Sequence, residues 1–303
     1  LLGIYSLALF VFFIHSISRS IQVDNVLNTL FSQTNKQLTS LIEYQDSDIV
    51  AHKPDYQNWY HLKSPKAGYF KGVHTQQLSK ILKEHQIDIV VAVEPGFFCV
   101  VGFPYLAVSY DISDDSELCD KINACCVFYI EEYIGDHYSY GLRQIAEIAI
   151  KALSPGINDP GTAVKAVDML SILTIARLHV GDHNYTLLNT DGKTPRLWFY
   201  EPSLASLLEQ NFDPIRHYGC NDPTILVNLL EALKNILFVC EYKPKYTRAL
   251  YNYVQATVYD AEHNISNPYE RARINRMLAR MNDVAQKRGD DIQFALAQEK
   301  AAD

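Results

Sequence analysis

The chain has 303 residues and a formal net charge of −8, from 27 Lys and Arg against 35 Asp and Glu. This length allows two domains, because single hydrophobic cores usually stop growing below about 300 residues. The acidic balance argues against nucleic acid as a main partner, since phosphate binding requires clustered Lys and Arg.

The first segment, residues 1–14, carries no charge and consists mostly of large apolar side chains. It is shorter than the roughly 20 apolar residues that a bilayer crossing requires. We interpret it as the end of a transmembrane helix that continues as an amphipathic stalk, so that residues 1–47 form one domain. A buried N-terminal core helix is the alternative. The basic start and small-residue cleavage site of a signal peptide are not visible.

Residues 48–135 predict a second, β-rich domain with an acidic linker. Short apolar runs at 89–93, 97–101 and 105–109 alternate with Gly and Pro turns, which is typical of a small β-barrel or sandwich. One helix is expected at 74–85. Residues 111–136 are rich in Asp and Glu but lack the spacing of a calcium loop, so a solvated linker is preferred to a cation site.

The turn pattern at residues 93–104 resembles the strand hairpin of biotinyl and lipoyl carrier domains, which present one modified lysine. No lysine occurs between Lys83 and Lys121. The resemblance therefore implies the shape of a hairpin without a bound cofactor, and we expect none.

Residues 136–303 predict a mainly helical domain with one β-hairpin around Asp191 and Gly192. Helices are expected at 138–153, 163–178, 202–213, 223–240, 244–262 and 268–286 from apolar residues at helical spacing. The helix at 163–178 is apolar nearly all round, which predicts burial. The fold class is therefore α+β, with a membrane-anchored stalk, a β-module and a helical domain.

One motif occurs twice, as Gly156-Ile157-Asn158-Asp159-Pro160 and as Gly219-Cys220-Asn221-Asp222-Pro223. Asp followed by Pro is a typical helix start, because Asp caps free amides and Pro suits the first helical turn. Gly upstream would end the preceding helix in a left-handed conformation. Both copies can therefore be helix-turn-helix corners of a duplicated unit.

A functional interpretation applies to the first corner alone. Small and polar residues between Ser154 and Thr162 expose backbone amides at a helix start, which favours a polar ligand. The candidate ligand-binding residues are Arg143, Ser154, Gly156, Asn158, Asp159 and Thr162. In the second corner Gly219, Asn221, Asp222 and Pro223 are assigned a structural role.

The stretches GLRQI at 141–145, ALSPGINDP at 152–160 and FDPIRHYG at 212–219 resemble the signature of a bacterial family of predicted membrane proteins with a domain of unknown function. Residues 13–22 match it as well. The resemblance covers nearly the whole chain and implies further transmembrane helices upstream of Leu1. Gly161 departs from the bulky residue that the family has there.

The remaining motifs decide between an enzyme and a binding protein. A nucleophile elbow, a Walker loop and a zincin helix are missing from the sequence. His179 and His183 have i, i+4 spacing, but Gly181 interrupts the helix, so no metal is expected. Asp136, His137 and Arg143 have acid–base chemistry that helix capping explains equally well.

We therefore expect a bacterial inner-membrane protein whose soluble part binds or senses a ligand or protein partner, with gating of a transporter or channel as one option. The alternative is a membrane-bound enzyme that uses the loop 154–162. The lipid bilayer is an expected partner, and a homo-oligomer is a further expectation. Six cysteines without CxxC spacing, mostly within apolar runs, indicate a cytoplasmic location.

Overall fold

The structure is a computed structural model that describes residues 3–6, 10, 22–44, 54–129, 137–180, 197–199, 202–240 and 244–297. Its helices are α1 (Val23–Tyr44), α2 (Thr75–His85), α3 (Ser116–Ala124), α4 (Tyr138–Ala152), α5 (Pro160–Val180), α6 (Leu204–Asn211), α7 (Asp213–Gly219), α8 (Pro223–Val239), α9 (Pro244–Asn264) and α10 (Pro268–Lys287). Its strands are β1 (Tyr60–Lys63), β2 (Gly68–Val73), β3 (Ile89–Val91), β4 (Phe98–Cys99), β5 (Pro104–Val108), β6 (Cys126–Tyr129) and β7 (Leu197–Trp198). The protein is thus α+β, as predicted.

The chain divides into two compact units, each assembled from separated segments. A helical unit contains Leu1–Lys36, Gly141–Arg177 and Leu204–Asp303. A sheet-bearing unit contains Gln37–Tyr140 and Leu178–Ser203. The predicted β-rich range, 48–135, falls within the second of these units.

The larger sheet has four described strands in the order β1-β5-β3-β7. β5 pairs antiparallel with β1 and with β3, whereas β7 pairs parallel with β3. Both faces of β3 are covered: Ile89 and Val91 join the main core of the unit, and Val90 packs in a smaller cluster with Ala107 and Trp198. This explains why the strand reads as an unbroken apolar run rather than as an alternation.

The smaller sheet has three described strands in the order β4-β2-β6, all antiparallel. Side chains alternate across it, because successive residues of a strand point to opposite faces. One face is buried, with Phe70 packing at 5.6 Å against the ring of Phe128 and at 5.9 Å against Tyr105 of the larger sheet. Both sheets therefore contribute to one hydrophobic core.

Of the two predicted forms, barrel or sandwich, the barrel is wrong, because neither sheet closes on itself within the described strands. The predicted hairpin of residues 93–104 is wrong for a related reason. Its two strands separate, since β4 pairs with β2 while β5 pairs with β1 and β3. The resemblance to a carrier-domain hairpin does not extend to the structure. Of the hairpin expected around Asp191, the structure describes only residues 197–199, where β7 pairs parallel with β3; the turn and the first strand lie outside the described residues.

The acidic stretch is not a linker over its whole length. It contains α3 and β6, and Leu118 and Ile122 of α3 are buried in the core. Asp115 starts the helix, because its carboxylate accepts a hydrogen bond from the Leu118 amide at 2.9 Å. The acids of this stretch therefore lie on a helix whose apolar side packs inward.

The helical unit is centred on α8, which packs against α9 and α10. Its buried positions recur at helical spacing on more than one face: Ile225, Leu226, Leu229, Leu230, Leu233, Ile236 and Leu237. Helix α5 is less enclosed than predicted, since Ile172 is half exposed. The helix expected at 202–213 is found as α6, and the short helix α7 follows it where no helix was predicted.

Only residues 3–6 and 10 of the apolar run 1–14 are described, and they are helical and exposed. The predicted end of a transmembrane helix therefore lies largely outside the described residues. None of the helices that the structure describes combines the length and apolar character needed to cross a bilayer.

Candidate functional site

The first repeated corner joins α4 to α5 and is fixed by hydrogen bonds within the turn. Asp159 caps α5: its carboxylate accepts the Thr162 amide at 3.1 Å and the Thr162 hydroxyl at 2.6 Å. These hydrogen bonds from Thr162 stabilise the carboxylate form and lower the pKa of Asp159. The Asp159 amide donates to the carbonyl oxygen of Ala152 at 2.8 Å, which closes the corner.

The backbone reverses at Asn158, whose φ of 47° lies in the left-handed region. Asn adopts this region more readily than most residues, because its short polar side chain bonds locally. The expectation that Gly156 and Gly219 supply the left-handed residue is wrong, since neither glycine has positive φ. In the first corner the residue with positive φ is Asn158, two residues after Gly156.

This corner projects into solvent. Residues 155–159 are exposed, and the large apolar side chain of Ile157 is 61% exposed. A methyl group placed on Gly156 would meet no atom within 4 Å. The corner therefore presents an apolar side chain and a rigid turn on an open surface.

The second corner has the same cap but a packed environment. The Asp222 carboxylate accepts the Thr224 amide at 2.7 Å, which starts α8. Gly219 is buried, and a Cβ there would lie 2.3 Å from Cγ2 of Ile225. Arg273 of α10 donates a hydrogen bond to the Thr224 hydroxyl at 3.2 Å. Side chains from the surrounding helices thus hold this corner in place.

The structure brings most of the candidate residues together. Ser154, Gly156, Asn158, Asp159 and Thr162 share the first corner. Arg143 does not join them, because it lies roughly 14 Å along the axis of α4 from Ala152 at the usual helical rise. Arg143 is half buried and takes part in an interaction of its own.

The hydroxyl groups of the corner are already engaged. Ser154 Oγ donates to the carbonyl oxygen of Lys151 at 2.7 Å, and the Thr162 hydroxyl donates to Asp159. Within the described residues, neither hydroxyl bonds a histidine ring or a lysine amino group. The arrangement suits binding better than nucleophilic chemistry.

A partly buried charge cluster ties α7 to α9, and sequence reasoning did not find it. Arg216 bonds Asp213 at 3.0 Å through Nη2 and forms an ion pair with Asp260. Its guanidinium lies 5.6 Å from the ring centroid of Tyr253. Burial raises the pKa of Tyr253 well above its ordinary value, so the phenol stays protonated. Both carboxylates bond the one guanidinium, which fits a structural role that joins α7 to α9.

An acidic cavity of about 520 Å³ lies beside the start of α3. Two of its four carboxylates accept local hydrogen bonds: Asp111 from the Ser113 amide, which lowers the pKa of Asp111, and Asp115 from the Leu118 amide. Within the described residues no group of three His, Cys, Asp or Glu is placed to hold a metal ion. His183, of the pair His179 and His183, lies outside that part.

Comparison with known proteins gives a family but no activity. A family model described as "Predicted membrane protein (DUF2254)" matches residues 1–235. Uncharacterized proteins of Mycobacterium bovis and Mycobacterium tuberculosis are each 23% identical over 297 residues, which covers 95% of this chain and 56% of the relative. The chain thus spans about half the length of the curated relatives it matches. No solved structure matches it.

Proposed function

The chain belongs to the DUF2254 family of predicted membrane proteins, and we propose that it is a binding part of its membrane protein, with the first corner as its contact site. The partner would be a small ligand or a protein surface. In a regulatory version of this proposal, binding at the corner would control the gating of a transporter or channel.

The contrast between the two corners carries this proposal. Both begin a helix with a capping Asp, so capping alone explains neither their difference in exposure nor the solvent-facing Ile157. A large apolar side chain on a rigid, exposed turn gains free energy when a partner covers it. The turn of the second corner is packed instead, because Gly219 lies against Ile225 and Arg273 bonds Thr224.

The alternative of a membrane-bound enzyme using residues 154–162 receives less support. The two hydroxyls of the loop donate to acceptors within the corner, and the carboxylate of Asp159 is held by Thr162. An enzyme would need a general base within about 3 Å of a nucleophile in a plausible substrate complex. The geometry favours recognition.

We place the described part on the cytoplasmic side of the bacterial inner membrane. Cys99, Cys125, Cys126 and Cys240 are buried free thiols. Buried among apolar side chains, they act as small hydrophobic residues, which is typical of proteins from reducing compartments. Labelling of introduced surface cysteines with a membrane-impermeant maleimide, before and after lysis, would test this orientation.

The contact site is tested with Ile157→Ser and a matched control, Ile172→Ser, on α5. The two side chains are similarly exposed, at 61% and 50%, so neither change should alter the melting temperature appreciably. We expect Ile157→Ser alone to abolish complementation of a deletion strain. Equal complementation by the two variants would contradict the proposal.

Equivalent substitutions at the two corners provide a second test of the contact site. Asn158→Ala and Asp159→Ser should impair complementation while the protein remains folded. Asn221→Ala and Asp222→Ser should affect complementation only as far as they lower the melting temperature. A stability-only effect at both corners would leave the first corner as architecture.

A further inference from the structure

The smaller sheet has an exposed face made of a row of aromatic rings. Tyr69 on the central strand pairs in register with Phe98 on β4 and with Tyr129 on β6. The three side chains are 36%, 52% and 49% exposed, and the rings of Tyr69 and Phe98 lie 5.1 Å apart. We call these three residues the aromatic face. It is opposite the buried face that carries Phe70 and Phe128.

An apolar turn extends this face along β4. Phe97, Val100 and Val101 are large apolar side chains that are all exposed, whereas Cys99 between them is buried. Gly102, at φ 84°, completes the turn, and its amide donates to the carbonyl oxygen of Ser64 at 2.9 Å. Soluble monomers rarely group this many apolar side chains on one surface without a partner.

Strands β1 and β2 and the turn between them are basic. Residues 60–73 contain Lys63, Lys66 and Lys71 and no acid, in a protein of net charge −8. Lys71 Nζ lies 4.0 Å from the ring centroid of Tyr129, on the aromatic face. Lys66 Nζ lies 5.5 Å from the ring centroid of Phe128, on the opposite face. Of these two lysines, Lys71 therefore accompanies the aromatic face.

The neighbouring turn adds one acid. Glu94 is half buried and is engaged in an interaction of its own. Residues 95–110 contain no charged side chain. The exposed surface is thus apolar and aromatic with a basic flank.

We propose that the aromatic face and the apolar turn rest on the lipid bilayer, with Lys71 against anionic headgroups. Aromatic side chains with an apolar body and a polar tip concentrate at the membrane–water interface. A lysine beside them gains from the negative surface potential of anionic lipids. A second copy of the chain is a poorer occupant, because it would bring the Lys71 side chains of the two copies together.

This inference uses the family's membrane character and is independent of the first corner. The two proposals concern residues of different units, Ile157 in the helical unit and Phe98 in the sheet-bearing unit. An experiment that contradicts one proposal therefore does not contradict the other.

The test uses the complete membrane protein reconstituted in vesicles, with Phe98→Trp as the reporter and Tyr110→Trp as the control. Tyr110 is 69% exposed and follows β5 at the end remote from the apolar turn, beside Asp111. Emission of the parent protein, which includes that of Trp59 and Trp198, is subtracted. Vesicles contain phosphatidylcholine and phosphatidylglycerol, with or without bromine on the acyl chains.

We expect brominated lipid to quench the residue-98 reporter and to spare the residue-110 reporter. Replacing Lys71 with Gln should lower the ratio of docked to undocked protein roughly fivefold, whereas Lys66→Gln, on the opposite face of the sheet, is the control and should change it less. Vesicles of phosphatidylcholine alone should show a similar loss. Near-ultraviolet circular dichroism establishes that each variant is folded.

Two results would overturn the inference. Absence of quenching at residue 98, or quenching no stronger there than at residue 110, would show that the face does not dock on lipid in preference to the control position. A reporter at 98 that is shielded from aqueous iodide yet insensitive to brominated lipid would assign the face to a protein partner instead.

Discussion

Gly141 of α4 lies so close to Thr34 of α1 that a Cβ at position 141 would sit 1.8 Å from the threonine Oγ1. Thr34 is buried, and its hydroxyl donates to the carbonyl oxygen of Leu30 at 2.7 Å, which fixes the side chain. The two helices can approach this closely only because residue 141 has no side chain. Glycine is required here for space, since its φ is not positive.

Gly141→Ala should therefore destabilise the protein by about 1–3 kcal/mol, the usual range for overpacking a tight contact. Gly156→Ala is the matched control, because a Cβ there meets nothing within 4 Å. Chemical denaturation of both variants measures the difference. A neutral Gly141→Ala would show that α1 and α4 do not pack as described.

The Arg216–Asp260 ion pair is mostly buried, and we expect it to stabilise the fold more than an exposed ion pair does. The side chains are 20% and 19% exposed, so Asp260→Asn should destabilise by about 2 kcal/mol, below the range for fully buried pairs. Asp24→Asn removes the partner of Lys165 in a pair that is 65% and 37% exposed. That change should alter stability by about 0–1 kcal/mol. Similar losses for both variants, measured by denaturation, would contradict this ranking.

The Asp159 cap predicts a dependence of stability on acid. Hydrogen bonds from Thr162 depress the pKa of Asp159 in the folded protein. Its stabilising contribution is therefore complete above the unfolded pKa, about 3.9, and is lost as pH falls through the lower folded value. Melting temperatures of the parent and Asp159→Ser should converge as pH falls below about 4. A constant difference across that range would contradict the role of the ionised carboxylate.

The buried thiols predict selective alkylation. Burial raises the pKa of Cys99 to about 11 and that of Cys126 to about 12. At pH 8 only roughly one molecule in a thousand, or fewer, carries a thiolate at these positions, so iodoacetamide should modify them slowly. Unfolding in denaturant should remove the protection. Peptide mass spectrometry over time gives the rates, and fast modification of Cys99 in the folded protein would be inconsistent with its burial.

Helices were the part of the fold that sequence predicted well. Long apolar patterns at helical spacing locate α4, α8, α9 and α10, and Asp222 followed by Pro223 marks the start of α8. Such signals are local, so one sequence contains them in full. The acidic segment shows how a local signal can be overlooked: Leu118 and Ile122 are four residues apart, after the capping Asp115, and together they indicate the short helix α3.

The features that sequence did not predict depend on residues far apart in the chain. The sequence around β4 and β5 does not indicate that these strands join different sheets. The sequence around Arg216 likewise does not indicate that its side chain pairs with Asp260. In the first corner, sequence identified the capping role of Asp159 but assigned the left-handed residue to Gly156 instead of Asn158. Either residue type tolerates that conformation, and only the Asp159–Ala152 hydrogen bond decides between them.

The interleaving of the two units has a consequence during synthesis on the ribosome. The sheet-bearing unit is complete only after Leu178–Ser203 has been synthesised, and the helical unit only after Leu204–Asp303 has been synthesised. At the usual rate of about 5–20 residues per second, α8 emerges several seconds or more after α1 and α4. Nascent chains therefore expose apolar helix surfaces beside the ribosome for that interval, and shielding by a chaperone or by the membrane would favour correct assembly.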